Sequence, residues 1–479
     1  MRNPYGYNLR FCKKEPPRLQ IKYMELVYKC KYCYNKKMIC RKCNGCGLCS
    51  GDGRFSSPYK PFVEKIHDIN FSGDPACSSA DAGIAVDIGT TTIAAAAFSL
   101  KTGKLIYECG EKNAQYVYGP DIVARINAAE KNYDEVRSLL INQLKAIFRK
   151  IVENVSLYFL SKRSGRMILK RVVFTGNTTM LSFVAGMKVS ALGRFPFRVP
   201  SEFDMEMSLG EIFGSEEFGS ACTVYFPPVI SAFIGADAVC AMTSSFSEDG
   251  GIQYMADTGT NCEMAVYDGT EKKLYCTSSS AGPAFEGTGI SCGIVCSEGA
   301  VVKLSPNGNS FDCTVAGGGN GKGICGTGLI SALCVLYECG KIDFHGTICD
   351  GGEIKISEGI SLLQEDIRRL QLAKAAVYSG LAFLNSKVRN RVSGTLYLCG
   401  GFGNHIDVSE AVRIGMIPQF LSGSVIHKGN AALSGAAAML FDEKMREKGR
   451  YFAEKAEVIN LALEEDFQNR FIASIDFPH

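Results

Sequence analysis

The stretch Ala82-Gly83-Ile84-Ala85-Val86-Asp87-Ile88-Gly89-Thr90-Thr91-Thr92-Ile93 decides the fold. Residues 82–88 form an apolar run long enough for one buried strand. A Gly and a Thr triplet follow, and apolar character returns over 93–100. That pattern predicts strand, tight turn, strand. The pattern recurs ~170 residues later: an apolar run at 253–256, then Asp257-Thr258-Gly259-Thr260-Asn261, then a second run at 263–267. Either motif alone is also an ordinary Asp-Gly turn. Two of them, each behind a buried strand, predict a duplicated phosphate cradle. Glycine lets the backbone approach an anion closely, and Thr and Asn add donors to the successive N–H groups. Asp is a poor phosphate ligand but a good Mg²⁺ ligand, directly or through water. Asp87 and Asp257 are therefore expected to face each other across nucleotide phosphates.

Outward from these motifs, 105–109 reads as a third strand after the Lys101-Thr102-Gly103-Lys104 turn. Residues 121–129 and 134–160 carry Ile, Leu and Val at helical spacing. Arg171-Val172-Val173-Phe174 is a buried strand leading into Thr175-Gly176-Asn177-Thr178-Thr179 and a helix. Residues 395–398 form another strand, ending in Cys399-Gly400-Gly401-Phe402-Gly403, where bare backbone can lie against an adenine or ribose. Helices are expected at 409–414 and 431–440.

The 479 residues fit two or three domains, and 46% hydrophobic residues supply sizeable cores. With 52 Lys+Arg against 49 Asp+Glu, no concentrated basic face is expected, so nucleic acid is not an expected partner. No stretch is apolar enough to span a membrane, and the N-terminus lacks the apolar core of a signal peptide. A reducing cytoplasm is the expected home. The 21 cysteines fall into two groups: seven in the first 49 residues and fourteen scattered beyond, the latter expected to be mostly packing residues.

Cys30, Cys33, Cys40, Cys43, Cys46 and Cys49 are interlocked CxxC units, the spacing that presents thiolate pairs to one ion. Cys40, Cys43 and Cys46 have the C-x2-C-x2-C run of a [4Fe–4S] site, although the usual x3 gap and following Pro are absent. The same pairs also fit zinc repeats, and an iron–sulfur cluster, zinc and free thiols all remain open readings. The expected organisation is a Cys-rich metal module at 1–50, a Gly/Ser/Pro-rich linker at 51–81, one lobe at 82–250, and a second lobe with a C-terminal helix and tail at 251–479.

Two Asp-Gly-Thr hairpins followed by Gly400-Gly401-Phe402-Gly403 resemble the ASKHA superfamily, the fold of sugar kinases, actin and chaperone ATPases. The fold class implied is α/β, a two-lobed, duplicated actin-like (RNase H-like) core with the small Cys-rich module in front. The resemblance implies a phosphate-1 loop at 87–92 (Gly89, Thr90, Thr91 and Thr92 with Asn177 nearby), a phosphate-2 loop at 257–263 (Gly259, Thr260, Asn261), and an adenosine segment at 400–403 (Gly400, Gly401, Gly403). Further motifs narrow it: Gly176-Asn177-Thr178-Thr179-Met180, Gly235-Ala236-Asp237-Ala238, Ala281-Gly282-Pro283-Ala284-Phe285-Glu286-Gly287, Gly323-Ile324-Cys325-Gly326-Thr327-Gly328 and Gly429-Asn430-Ala431-Ala432-Leu433. Together they resemble the reductive activators of corrinoid proteins, over roughly 82–479. The resemblance implies ATP with Mg²⁺, an iron–sulfur electron donor, and a corrinoid partner reduced from Co(II) to Co(I), in a chain expected to act as a homodimer. Asp87 and Asp257 would be its catalytic carboxylates. Gly282 and Glu286 join the cofactor-binding set, with Glu286 either a third cleft carboxylate or a structural one.

Departures are visible. The plant-type ferredoxin spacing of the members compared is missing, and Cys262 stands where Gly is usual. Alternative readings are an activator of another low-potential metalloenzyme, of the 2-hydroxyacyl-CoA dehydratase type, and a small-molecule kinase with a zinc ribbon. In the dehydratase activators a Cys pair from each subunit bridges a cluster, a role that Cys292 and Cys296 could be imagined to fill; Cys292 and Cys325, however, fall inside Gly-rich motifs of the resembled family and there read as structural.

Overall fold

Strand β1 (Asp81–Ile88) is the axis of the first half of the molecule. Every residue in it but Asp87 is buried, which explains its unbroken apolar sequence: a strand covered on both faces has no polar side. The computed structural model describes residues 71–388 and 394–478; the Cys-rich module at 1–50 and most of the expected linker lie outside them. β1 pairs antiparallel with β2 (Thr92–Ser99), which pairs antiparallel with β3 (Leu105–Lys112). On its other side β1 pairs parallel with β4 (Ile168–Gly176), and β4 with β6 (Thr223–Phe226); the short β5 (Met205–Ser208) closes the edge. The order is β3-β2-β1-β4-β6-β5.

The second half repeats this plan. β7 (Ile252–Thr258), β8 (Asn261–Asp268) and β9 (Lys273–Ser280) are three antiparallel strands. Between this meander and its crossovers lie β10 (Ala300–Asn307), β11 (Ser310–Val315), β12 (Gly323–Ile324), β13 (Glu353–Ser357) and β14 (Ile360–Leu363), in two small sheets. β15 (Thr395–Cys399) and β16 (Val425–Gly429) then add in parallel beside β7, and β17 (Ala456–Val458) pairs parallel with β9. Stripped of its edges, each sheet is the same five-stranded unit, so the echo in the sequence is an echo in topology.

Helix Tyr133–Ser161 shows how a helix is fixed to such a sheet. Asn132 caps its N-terminus by accepting from the Glu135 N–H, and Asp134 and Glu135 suit the positive end of the dipole. Val136, Leu140, Leu144, Ile147, Ile151 and Val155 form the buried stripe against the first sheet.

The two halves exchange helices. Helix Ala236–Ser245 ends the first half in sequence, yet Val239, Ala241 and Met242 pack with Met255, Ala265 and Tyr267 of the second sheet. Helix Ala431–Phe441 does the reverse: Leu433, Ala436 and Ala437 pack with Ala85, Ala94 and Val173 of the first. A boundary at 250 thus separates the strands of the two sheets but not their helices. The small residues of the second helix have a steric reason. Gly435 lies directly on the Cys240 carbonyl, so any side chain there would force the pair apart.

Residues 71–81 differ from the expected linker. Phe71 stacks on Phe441 with ring centroids 4.6 Å apart, Asp74 pairs with Arg171 at 3.0 Å, and Asp81 already belongs to β1. Apolar and charged anchors, invisible to a composition reading, tie this segment down. At the other end, the tail is held by Lys374, whose Nζ donates to the Ser474 and Asp476 carbonyls, both at 2.7 Å.

Candidate functional site

Asp87 and Asp257 hold equivalent places. Each is the next-to-last residue of the central strand of its sheet, flanked by one antiparallel and one parallel neighbour: Ala94 and Thr175 for Asp87, Glu263 and Cys399 for Asp257. Parallel strands followed by crossovers leave a crevice at their carboxyl ends, and both carboxylates open into one. They are half-buried and enclosed by protein on their other sides. Burial pushes both carboxyls up to about 7, with the Asp237 charge adding to each and Asn430 opposing the shift at Asp87. Asp237 and Glu263 are also raised, first by burial; for Glu263 the charges of Asp237 and Asp257 add to it. Four carboxyl groups thus feel one another across the cleft, the electrostatics of a site that suits a cation. Among the described residues, no three His, Cys, Asp or Glu side chains converge closely enough to ligate one ion directly. The cluster therefore fits a hydrated divalent ion, held mainly through water.

The first loop, Gly89-Thr90-Thr91, is fixed from behind. The Asn113 side chain donates to the Gly89 carbonyl at 2.9 Å, buried Arg125 donates to the Thr90 carbonyl, and the Asn113 N–H donates to the Thr91 carbonyl at 2.8 Å. Three successive carbonyls are taken up by the lobe, an arrangement that turns N–H groups toward an anion. Asn177 caps helix Thr178–Val184 by accepting from the Met180 N–H at 3.0 Å and donates to Thr90 Oγ1 at 3.0 Å. Burial lowers Arg125 to about 10, so it remains a cation behind the loop at neutral pH. Thr92 belongs to β2 and pairs with Lys112.

The second loop is held from the front. Thr260 donates through its N–H (2.9 Å) and its hydroxyl (3.0 Å) to Glu286 Oε1, and Thr91 Oγ1 donates to Glu286 Oε2 at 3.0 Å. The Gly282 N–H donates to the Thr260 carbonyl at 2.9 Å, and Asn261 begins β8, its carbonyl accepting from the Gly259 N–H. Cys262 is fully buried, and its thiol is raised well above the usual range by burial, as befits a packing residue.

The 400–403 segment, expected as bare backbone for adenosine, forms the first turn of helix Gly400–His405. Gly400 has φ +77°, and a Cβ there would lie 2.5 Å from Asp257 Oδ1; one at Gly403 would lie 3.2 Å from Thr258 Oγ1. These two glycines make room for the phosphate-2 strand, and Gly401 alone is exposed. Asp237, Glu263, Asn113, Arg125 and Asn430 were not singled out from sequence. Asp237 and Asn430 stood inside quoted motifs, and Glu263 faces Asp257 in the hairpin register. Asn113 and Arg125 carried no sequence signal.

Of the fourteen described cysteines, eight are buried. Cys325 departs from simple packing. At the start of helix Gly326–Glu338, hydrogen bonding with the Cys296 thiol brings it down to about 6, with help from Thr327 and Gly328. The six cysteines at 30–49 lie outside the described residues.

A duplicated α/β core with a phosphate-type hairpin in each half and acidic strand ends facing one cleft defines a two-lobed ASKHA protein. Residues 82–247 match the RACo middle region, and residues 251–479 match the C-terminal domain of RACo, its ASKHA domain. The chain belongs to the RACo family of corrinoid reductive activators. It is 28% identical over 391 residues to the corrinoid activation enzyme RamQ of Eubacterium limosum, covering 76% of this chain and 64% of that protein. It is 27% identical over 294 residues to the [Co(II) methylated amine-specific corrinoid protein] reductase of Methanosarcina barkeri, covering 56% and 54%. It thus spans less than two thirds of the length of these curated relatives. A solved reductive activator for a corrinoid, iron–sulfur protein shares the fold, with TM-score 0.70 and 24% identity over 84% of this chain and 67% of that one. No helix among the described residues is long and apolar enough to cross a membrane.

Proposed function

We propose that this chain is a cytoplasmic, ATP-dependent reductive activator that drives a Co(II) corrinoid on a partner protein to Co(I). The observation that carries the reading is the pairing of two acid-ended hairpins across a single cleft, in a chain whose named relatives act on corrinoid proteins. Backbone N–H groups of 89–91 and Thr260 would take the phosphates of ATP. Asp87, Asp237 and Asp257 would hold a hydrated Mg²⁺. Such an ion neutralises phosphate charge and orients the terminal phosphoryl group. Asn430 keeps the Asp87 carboxylate aimed, donating to Oδ2 at 2.9 Å from the cap of the helix that crosses onto the first sheet. Occupation of the cleft is thereby felt in the crossed helix pair, the element through which the lobes can move against each other. Gly401 is the exposed part of the expected adenosine segment.

We assign the electron donor to residues 30–49, where six cysteines at CxxC spacing support a bound metal. Because zinc has no redox chemistry, an electron-transfer role requires an iron–sulfur cluster there, of [4Fe–4S] type. Bound there, it would supply one electron at low potential. A homodimer is the assembly we infer, with residues 82–250 and 251–479 as its lobes and 1–50 as its donor module.

The test is anaerobic. Full-length protein with reconstituted iron, a low-potential reductant and a Co(II) corrinoid protein should show ATP-dependent appearance of the Co(I) absorption band. Iron-loaded protein that hydrolyses ATP yet gives no Co(I) with any corrinoid protein would overturn the acceptor. Colourless protein that binds only zinc would overturn the electron-transfer role.

A further inference from the structure

We propose that Glu286 is a cross-cleft latch: its carboxylate takes the donors that nucleotide phosphates need, so ATP must displace it to engage both loops. The inference rests on the reading of the cleft as an ATP site and adds how that site is gated.

The geometry is that of an anion already in the cradle. One carboxylate oxygen accepts from Thr91 Oγ1, in the loop between β1 and β2. The other accepts from both the N–H and the hydroxyl of Thr260, in the loop between β7 and β8. The three distances, 3.0, 2.9 and 3.0 Å, are those of well-made hydrogen bonds. The donors are two hydroxyls and a backbone N–H, the set that a phosphate oxygen would also use, and both acceptors are anionic. Carboxylate and phosphate cannot share them, because like charges at that separation repel.

The side chain is built to leave without moving its backbone. Glu286 ends a short 3-10 turn, Pro283–Glu286, between Gly282 at φ +77° and Gly287 at φ +73°. The preceding Phe285 is buried and stacks on Phe402 with centroids 4.6 Å apart and planes within 8°. The Gly287 backbone lies against Ile294, leaving no space for a side chain. The turn is pinned on both sides of Glu286, while Glu286 itself is only partly buried. Rotation about its own side-chain bonds is enough to release Thr91 and Thr260. Release frees the two lobes from each other at this point, so phosphate binding and lobe motion are linked through one group.

The test compares wild-type full-length protein with Glu286→Ala and Glu286→Gln. Without nucleotide, the Thr260 N–H should exchange with solvent markedly faster in Glu286→Ala than in wild type, because its acceptor is gone. Adding Mg·ATP should restore protection. Equal exchange of Thr260 in both proteins overturns the latch. In binding assays, Glu286→Ala should hold ATP about tenfold more tightly, the gain expected if about nine-tenths of the protein is latched, since the apparent Kd is the intrinsic one divided by the unlatched fraction; Glu286→Gln should fall between, because its uncharged amide offers one acceptor oxygen where the carboxylate offers two. A structural lesion would not tighten binding. Unchanged affinity in Glu286→Ala overturns the competition; weaker affinity overturns it too and makes Glu286 a group that supports the bound nucleotide instead. If wild type binds no ATP, the proposed function fails while the exchange measurement still judges the contact between Glu286 and Thr260.

Discussion

The two hairpin loops come from the same topological unit but are held differently: the first by side chains packed within its own half, the second by a side chain that also reaches the other half. Residues 89–91 are gripped from inside their lobe by Asn113, Arg125 and Asn177. Residues 258–260 are held by Glu286 of their own half, whose second oxygen reaches across the cleft to Thr91, with Gly400 leaving room for Asp257. A duplicated fold thus carries one loop that is pre-organised and one whose partners can be exchanged. On the function proposed above, the first would serve as a fixed phosphate platform, and the second would report on whether the cleft is occupied.

The largest expected effect tests what the loops share. Asp87→Asn and Asp257→Asn should each cut ATP-dependent turnover by about 10²-fold or more, the scale for removing a charge-stabilising group at a reacting centre. Steady-state hydrolysis checks it, and a tenfold gap between the two variants would break the equivalence of the halves. Gly400→Ala comes next. Its added carbon at φ +77° meets Asp257 Oδ1, so about 1–3 kcal/mol of strain falls on the second loop. Turnover should drop with little change in the first loop's amide exchange.

Arg125→Met sharpens the contrast from the other side. It keeps volume but leaves the Thr90 carbonyl without its donor, and should lower unfolding free energy by about 1–3 kcal/mol in denaturant titration. Asn177→Ala, which removes a helix cap and the bond to Thr90, should cost about 1 kcal/mol by the same measurement. The smallest effect is in the pH dependence. Asp87 and Asp257 ionise near 7 in the folded protein against a usual 3.8, so the folded state binds the extra protons. Their contribution is complete below about 3.8 and is lost as pH rises through 7. Without divalent cations, stability should therefore fall across that window, and the Asn variants should flatten the fall. A stability that rises there on their account would contradict the burial assigned to both carboxyls.

Much of this was legible in one dimension. β1, β2, β7, β8 and β15 were read from apolar runs because a strand buried on both faces leaves no polar alternation. Asp87, Asp257 and the Thr-rich turns were read because each punctuates such a run. What composition missed lies where contacts are remote. Phe71 pairs with Phe441, and Arg125 reaches Thr90, each across a separation no local pattern encodes. The Gly400-Gly401-Phe402-Gly403 run was legible as backbone nearly free of side chains, but not what its glycines make room for. In the structure Gly400 and Gly403 fit against Asp257 and Thr258.

By itself the sequence determined the duplication, the two acidic strand ends, and a Cys-rich segment with metal-ligand spacing at 30–49. These are properties of periodicity and of residue type, which act over a few neighbours. Only the tertiary structure decided that the helices cross between halves, that Asp237 and Glu263 join the acidic group, and that Glu286 spans the cleft from Thr260 to Thr91. Those are contacts between residues as far as 343 positions apart. They depend on how two sheets pack, and packing is set by the whole set of buried side chains and by no single segment.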